Sequence, residues 1–548
     1  MKQLLTHRAQ LARDAAAAIG GIVLSLAFPK ASVAGFAWIA PAIILFSAAG
    51  TPGKSAFRCG FIGGAAFWLV SLSWLLAIPY TFHGIPLAPA LGLVALAAYC
   101  SLYMGAWVWF CWRIQPPAPP PVEQTPEAMA DRLLDTPALA RAAWALKCAM
   151  AWVALELLRG WFLSGFPLDF LGASQYRMLP LIQIASVTGV YGVSFLIVWT
   201  SVSFGMLALK VWRHPGSRET IWATAGIPLI VVIVLTAIGM SQTATLPPPA
   251  PRELKIALVQ PSFPQTLIWD PQGDERRFNE VLEMSRQALA AEPDLLIWPE
   301  SAAPDLSPEN QESIARLLAP HKSWLVLCVD SEERRPDGDF AVYNSAVMLD
   351  PKGRGRGIYH KRRLVMFGEY IPLIRWLPFL KFLAPIGSGF TPGQVASQFS
   401  MTDPAAQMSV LICFEDIFPR DAREHVQHDT DFLINLTNDG WFGNGAAQWQ
   451  QMASAVFRAV ENGLPLVRCS NNGITCWIDA HGRQRTVFGA DSNVYTAGIM
   501  TARIPLEGGP GRRPTFYNQY GDVFALGCAL VSIGLLFARR FGGTCPEI

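Results

Sequence analysis

M-S-V-L-I-C-F-E-D-I-F-P, residues 408–419, sets an apolar run against a thiol and two carboxylates. The run Ser409–Cys413 has the length and polarity of a buried strand, and the chemistry begins where the strand ends. Taken alone, Cys413 reads as a small buried hydrophobe, as free cysteines usually are. Glu415 and Asp416 beside it would raise the thiol's pKa and suppress the thiolate. A reactive Cys413 therefore needs partners from distant parts of the chain.

Such partners exist, and in the same setting. Between residues 250 and 515, strand-like runs fall at 255–260, 294–298, 324–329, 344–349, 409–413, 431–436 and 464–469. Helix-like stretches at 274–291, 308–319 and 446–461 separate them. That order predicts sheets covered by helices, with parallel and mixed sheets both open. L-L-I-W-P-E-S ends in Glu300, and G-I-Y-H-K-R-R-L-V carries Lys361. Strand ends hold reacting groups rigidly while loops admit substrate. Singly, Glu300 reads as a surface or salt-bridged acid, and Lys361 as part of a solvated basic run. Together with Cys413 they form a covalent acyl-transfer set: an acid to accept the thiol proton, and an ammonium to offset the carboxylates and stabilise an oxyanion with the backbone N–H after Cys413.

The rest of the chain is of a different kind. Of its 548 residues, 52% are hydrophobic and 15% charged, against about 25% charged in soluble globular proteins. Net charge is +2, which gives no support for a nucleic-acid partner. The apolar excess lies in 1–242 and 519–538, with expected spans at roughly 14–29, 33–50, 56–78, 87–112, 142–165, 184–210, 220–240 and 519–538, each near the ~20 residues that cross a bilayer. The expected architecture is a polytopic α-helical membrane domain of about eight transmembrane helices (1–242 and 519–548) carrying an exported α/β domain (250–515). Lys2, Arg8, Arg13, Lys54, Arg58, Arg113, Arg132, Arg141, Lys210, Arg213, Arg218, Arg539 and Arg540 mark one side of the membrane, while Lys30 and Arg177 are nearly alone on the other. The positive-inside rule then puts both termini in the cytoplasm and 241–518 outside. A proline-rich stretch, Q-P-P-A-P-P-P-V-E-Q-T-P (115–126), reads as the start of a stiff cytoplasmic linker near 115–140. Glu156 and Arg159, three apart near a span end, are expected to pair with each other.

Ten cysteines include no C-x-x-C pair and no His/Cys cluster of metal-ligand spacing, so neither a structural metal nor a cofactor is expected. Residues 371–383, I-P-L-I-R-W-L-P-F-L-K-F-L, are apolar, too short to span, and interrupted by Arg375 and Lys381. This suits a lid or arm at the membrane interface, the ordinary alternative being a helix of the α/β core.

The motifs W-P-E-S (298–301), Y-H-K-R-R-L-V-M-F-G-E-Y-I-P (359–372) and I-C-F-E-D-I-F-P (412–419) resemble the Glu–Lys–Cys signatures of the nitrilase (carbon–nitrogen hydrolase) superfamily. N-L-T-N-D-G-W-F-G (435–443) and F-R-A-V-E-N-G-L-P-L-V-R-C-S-N-N-G (457–473) extend the likeness. With spans before and after this domain, nearly the whole chain resembles the bacterial apolipoprotein N-acyltransferase family. The resemblance implies an αββα sandwich and a ping-pong reaction in the bacterial inner membrane, catalytic domain on the periplasmic face. A phospholipid, typically phosphatidylethanolamine, would leave an acyl chain as a thioester on Cys413, and the diacylglyceryl-cysteine amine of an apolipoprotein would take it. It also implies that Glu300 is the general base, that Lys361 stabilises the oxyanion, that Glu369 and Glu415 are supporting acids, and that Trp269 and Phe414 lie on the substrate side of a monomeric enzyme. Met366 and Phe414 stand where Pro and Tyr are expected, which alters pocket shape without removing a reacting group. Two other readings compete: a tethered amidase or nitrilase using the same three residues, and a transporter or scaffold with an inactive exported domain.

Overall fold

The computed structural model describes all residues except 1, 79–86, 117–132, 214–221, 245–251, 269, 336–337, 373, 375, 377–388, 490–492, 507, 509–511 and 542–548. It divides into two compact units, one of residues Met1–Ser73, Leu91–Thr245 and Tyr520–Ile548, the other of Trp74–Ala90 and Leu246–Gln519.

The first unit is helical. Four of its described helices are long and apolar enough to cross a membrane: Ala88–Arg113, Ala138–Ser164, Val190–Arg213 and Thr224–Thr243. This falls short of the eight expected spans, for local reasons. Helix Lys2–Ser25 spends its first half on His7, Arg8, Gln10, Arg13 and Asp14. The 33–50 stretch breaks into a 3₁₀ turn, Ala34–Trp38, and an eight-residue helix, Ala40–Ser47. Helix Gly53–Ser71 carries Lys54 and Arg58. Helix Val523–Phe541 is different: Val523–Ala538 is apolar without interruption by a charge. Outward-facing Ile230, Ile233, Val234 and Met240 leave an apolar surface on Thr224–Thr243, as a lipid-facing helix requires.

Glu156 and Arg159 do not pair as expected. Glu156 Oε1 accepts from Trp152 Nε1 (2.9 Å) and Leu171 N (2.7 Å). Arg159 donates to the carbonyls of Phe166 (2.7 Å) and Leu168 (2.8 Å), and its guanidinium lies over the Trp68 ring at 4.7 Å. A helix end buried in an apolar unit leaves backbone groups without water, and these two side chains satisfy them.

The second unit is a sandwich of two six-stranded sheets. One has the order β12-β1-β2-β3-β4-β5 and the other β11-β10-β9-β8-β7-β6. The strands are β1 Glu253–Gln260, β2 Leu295–Ile297, β3 Trp324–Arg334, β4 Phe340–Leu349, β5 Gly355–His360, β6 Gln398–Thr402, β7 Ala405–Ile412, β8 Phe432–Thr437, β9 Leu466–Ser470, β10 Cys476–Ile478, β11 Gln484–Val487 and β12 Gly498–Pro505. Both sheets are mixed: β1-β2-β3 and β7-β8-β9 run parallel, and every other pairing is antiparallel.

The two-residue period of the strands builds the layers. Leu254, Ile256 and Leu258 of β1 face inward, against Met408, Val410 and Ile412 of β7 and Phe432, Ile434 and Leu436 of β8, in one core between the sheets. Ala257 and Val259, the alternate residues of β1, pack outward with Val281, Leu282 and Leu289 of helix Asp274–Leu289 and Ile314 and Leu318 of helix Pro308–Leu318. Helix Ala447–Asn462, buried along nearly its whole length, covers the other sheet. The result is the αββα sandwich that the resemblance implied. Trp74, from the Trp74–Ala90 segment, also packs in this unit: its Nε1 donates to Gln450 Oε1 (2.9 Å) and its ring meets Phe442 at 4.7 Å.

Candidate active site

Four strand ends meet at one end of the sandwich. Glu300 lies three residues past β2, Lys361 directly follows β5, Cys413 directly follows β7, and Asn438 directly follows β8. Lys361 Nζ lies 2.7 Å from Glu369 Oε1 and 3.4 Å from Glu300 Oε1, with Lys361 1% exposed and Glu300 7%. Asn344 of β4 donates from one amide nitrogen to both acids, at 2.8 Å to Glu300 and 3.2 Å to Glu369. The backbone N–H of Asn438 donates to the other Glu300 oxygen at 3.0 Å, and that of Val365 to Glu369 at 2.8 Å. Every carboxylate oxygen of the cluster thus has a fixed donor, which is what keeps two buried acids and a lysine in one geometry.

Cys413, like Glu369, keeps part of its surface open. Its φ is 54°, the left-handed region that a non-glycine side chain rarely adopts, as a sharp strand-to-turn junction demands. Burial raises the Cys413 thiol well above its ordinary range and the Glu300 charge adds to this, while Lys361 opposes both. Burial alone would lower Lys361, but the Glu300 and Glu369 charges outweigh it and hold the ammonium well above the ordinary lysine range. Two acids and one lysine leave the pocket with a net negative field, which favours the protonated thiol.

Glu415 faces away from the thiol. Its carboxylate accepts from Ile412 N (2.8 Å), Arg362 N (2.8 Å), Arg363 N (3.0 Å) and Tyr359 Oη (2.9 Å). It therefore ties the turn after Cys413 to the turn after Lys361. Phe414 lies with its ring centre 5.8 Å from Lys361 Nζ. Trp269 lies outside the described residues, as does most of 371–383; within that stretch Trp376 is 82% exposed.

Asn344, Asn435, Asn438, Asp439 and Arg468 carry no role in the sequence reading, yet they build the site's frame. Asn344 sits in the run N-S-A-V-M-L as one polar residue opening an apolar stretch, a signal that was available. Gly473 matters for a related reason: its φ is +136°, and a Cβ there would stand 2.6 Å from Asp439 Oδ2.

The class follows from this arrangement: a carbon–nitrogen hydrolase sandwich joined in one chain to an apolar helical unit. Residues 255–508 match the carbon–nitrogen hydrolase family, and residues 20–203 match the apolipoprotein N-acyltransferase N-terminal domain. An apolipoprotein N-acyltransferase of Geobacter metallireducens is 35% identical over 536 residues, covering 96% of this chain and 95% of its own. One of Vibrio vulnificus is 31% identical, covering 95% and 96%. A solved amidase of Nesterenkonia, from the nitrilase superfamily, shares 18% identity over 47% of this chain and 94% of its own, with a TM-score of 0.35. The chain belongs to the apolipoprotein N-acyltransferase family. That likeness runs through the helical unit as well as the sandwich, which favours acyl transfer over the tethered amidase.

Proposed function

We propose that this acyltransferase of lipoprotein maturation works through a thioester on Cys413, with a phospholipid such as phosphatidylethanolamine as donor. The convergence of Glu300, Lys361 and Glu369 beside a mostly buried thiol that keeps part of its surface open carries this reading. Glu300 accepts the thiol proton as sulfur attacks the ester carbonyl. Lys361 and the Phe414 backbone N–H stabilise the oxyanion. The acyl C–O bond then breaks, Glu300 returns the proton to the departing alcohol oxygen, and lysophospholipid leaves. In the second half, the α-amine of the diacylglyceryl-cysteine attacks the thioester, its proton passes to Glu300, the C–S bond breaks and the thiol is restored. The product is an amide, and the enzyme ends as it began.

The lysine and arginine asymmetry of the short connections supports an inner-membrane protein with both termini cytoplasmic and a periplasmic catalytic domain.

The test is transfer of a labelled acyl chain from phosphatidylethanolamine vesicles to a synthetic diacylglyceryl-cysteine peptide. Label on the peptide α-amine, and none on an N-acetylated peptide, is expected. Release of free fatty acid with no peptide labelling would contradict the reading and favour a hydrolase.

A further inference from the structure

We propose that Arg468 is a positioning residue for acyl transfer: one buried guanidinium clamps the turn that carries Cys413 to the turn that holds Glu300. The inference rests on the roles proposed above for those two residues and deepens them.

Arg468 lies on β9 between inward-facing Val467 and Cys469, so its side chain points to the opposite face, under helix Ala447–Asn462. It is fully buried. Nη1 donates to Asp416 Oδ2 at 2.6 Å and to Asn435 Oδ1 at 2.8 Å. Nη2 donates to both Asp439 oxygens at 3.0 Å. Each contact leads to a reacting group. Asp416 is three residues past Cys413 in the same turn, Cys413–Ile417. Asn435 passes the contact on, its Nδ2 donating to the Cys413 carbonyl at 2.8 Å. Asp439 follows Asn438, whose backbone N–H holds Glu300 at 3.0 Å.

A guanidinium suits this place because its two terminal nitrogens are held apart in one plane, so Nη1 serves Asp416 and Asn435 while Nη2 serves Asp439; the single nitrogen of a lysine ammonium cannot span both. The left-handed Cys413 backbone persists only where its surroundings over-determine it. Glu415 supplies one side of that support, and the Arg468–Asn435 relay supplies the other. Buried ion pairs often add little net stability over apolar packing, so a purely structural role does not explain why every contact of this one converges on the two turns.

The test uses the full-length protein in detergent with phosphatidylethanolamine, comparing wild type with Arg468→Lys and Asn435→Ala. Thioester formation is followed by rapid quench and intact mass, and rates are normalised to the sites that finally acylate. A structural role would lower the number of acylating sites but leave the rate per site and KM unchanged. Positioning predicts a rate per site lowered on the order of 10²-fold in Arg468→Lys, the scale of a misplacement near 1 Å, with KM for donor unchanged. Asn435→Ala, which leaves the contacts of Arg468 to Asp416 and Asp439 in place, should lose at least roughly tenfold and decides the matter if Arg468→Lys does not fold. A wild-type rate per site in either folded variant overturns the proposal. Absence of adduct in wild type would instead defeat the thioester reading itself.

Discussion

Lys361 is held closer to Glu369 than to Glu300, at 2.7 Å against 3.4 Å. The two acids therefore differ in kind. Glu369 is the main counter-ion of the ammonium, and Glu300, bound by Asn344 and the Asn438 N–H, is the less neutralised carboxylate. That division suits Glu369 to fixing the lysine and Glu300 to receiving a proton.

Glu300→Gln should thus lower the rate of Cys413 acylation on the order of 10³-fold, the range of a lost general base. Glu369→Gln should cost roughly tenfold, about 1.4 kcal/mol of barrier, because it loosens Lys361 without removing the base. Rapid-quench acylation rates check both. Equal losses in the two variants would contradict the division.

The thiol's raised pKa gives a pH dependence with a definite sign. Burial and Glu300 favour the protonated form, so alkylation of Cys413 by iodoacetamide should be slow at pH 7 and keep rising through and beyond the ordinary thiol range near 8.5. Removing the Glu300 charge with Glu300→Gln should move the profile to lower pH, and removing the opposing cation with Lys361→Met should move it higher. A wild-type profile that levels off below pH 8 would show a pre-ionised thiol and contradict the assignment.

Glu415 is expected to matter through structure and geometry together. Glu415→Ala would leave three backbone N–H groups and the Tyr359 hydroxyl without their acceptor in a buried setting. At about 1–3 kcal/mol for each unmet buried donor, the loss should be on the order of 3 kcal/mol or more. Thermal unfolding in detergent should show a clearly lowered midpoint, with residual activity lost as well. An unchanged midpoint would mean that water takes over those donors.

Much of this was legible from strand ends. Glu300, Lys361 and Cys413 each stand just past an apolar run, and the structure places all three at one end of the sandwich. Each of the seven apolar runs overlaps a strand, while β5, β6, β10, β11 and β12 are not among them because they are short or carry polar residues, four of them along a sheet edge. Glu415 misled in isolation: beside a thiol it looks hostile, but its carboxylate turns back onto backbone N–H groups. Arg468 was illegible for a deeper reason. It sits inside the apolar run L-P-L-V-R-C, and its partners Asp416, Asn435 and Asp439 lie 52, 33 and 29 residues away. Periodicity reports which face a residue takes, whereas a relay that joins two turns through a neighbouring strand exists only once the sheet is closed. The membrane unit shows the same limit: composition marked eight apolar stretches, yet charges near helix ends and the break before Ala40 leave four described helices that meet the length and polarity of a span.

The central claim is that Cys413 carries the acyl chain, and intact mass tests it directly. After incubation with phosphatidylethanolamine, the wild-type protein should gain the mass of one acyl group, hydroxylamine should remove it, and Cys413→Ala should gain nothing. No adduct on the wild type, or an adduct that persists in Cys413→Ala, would contradict the account.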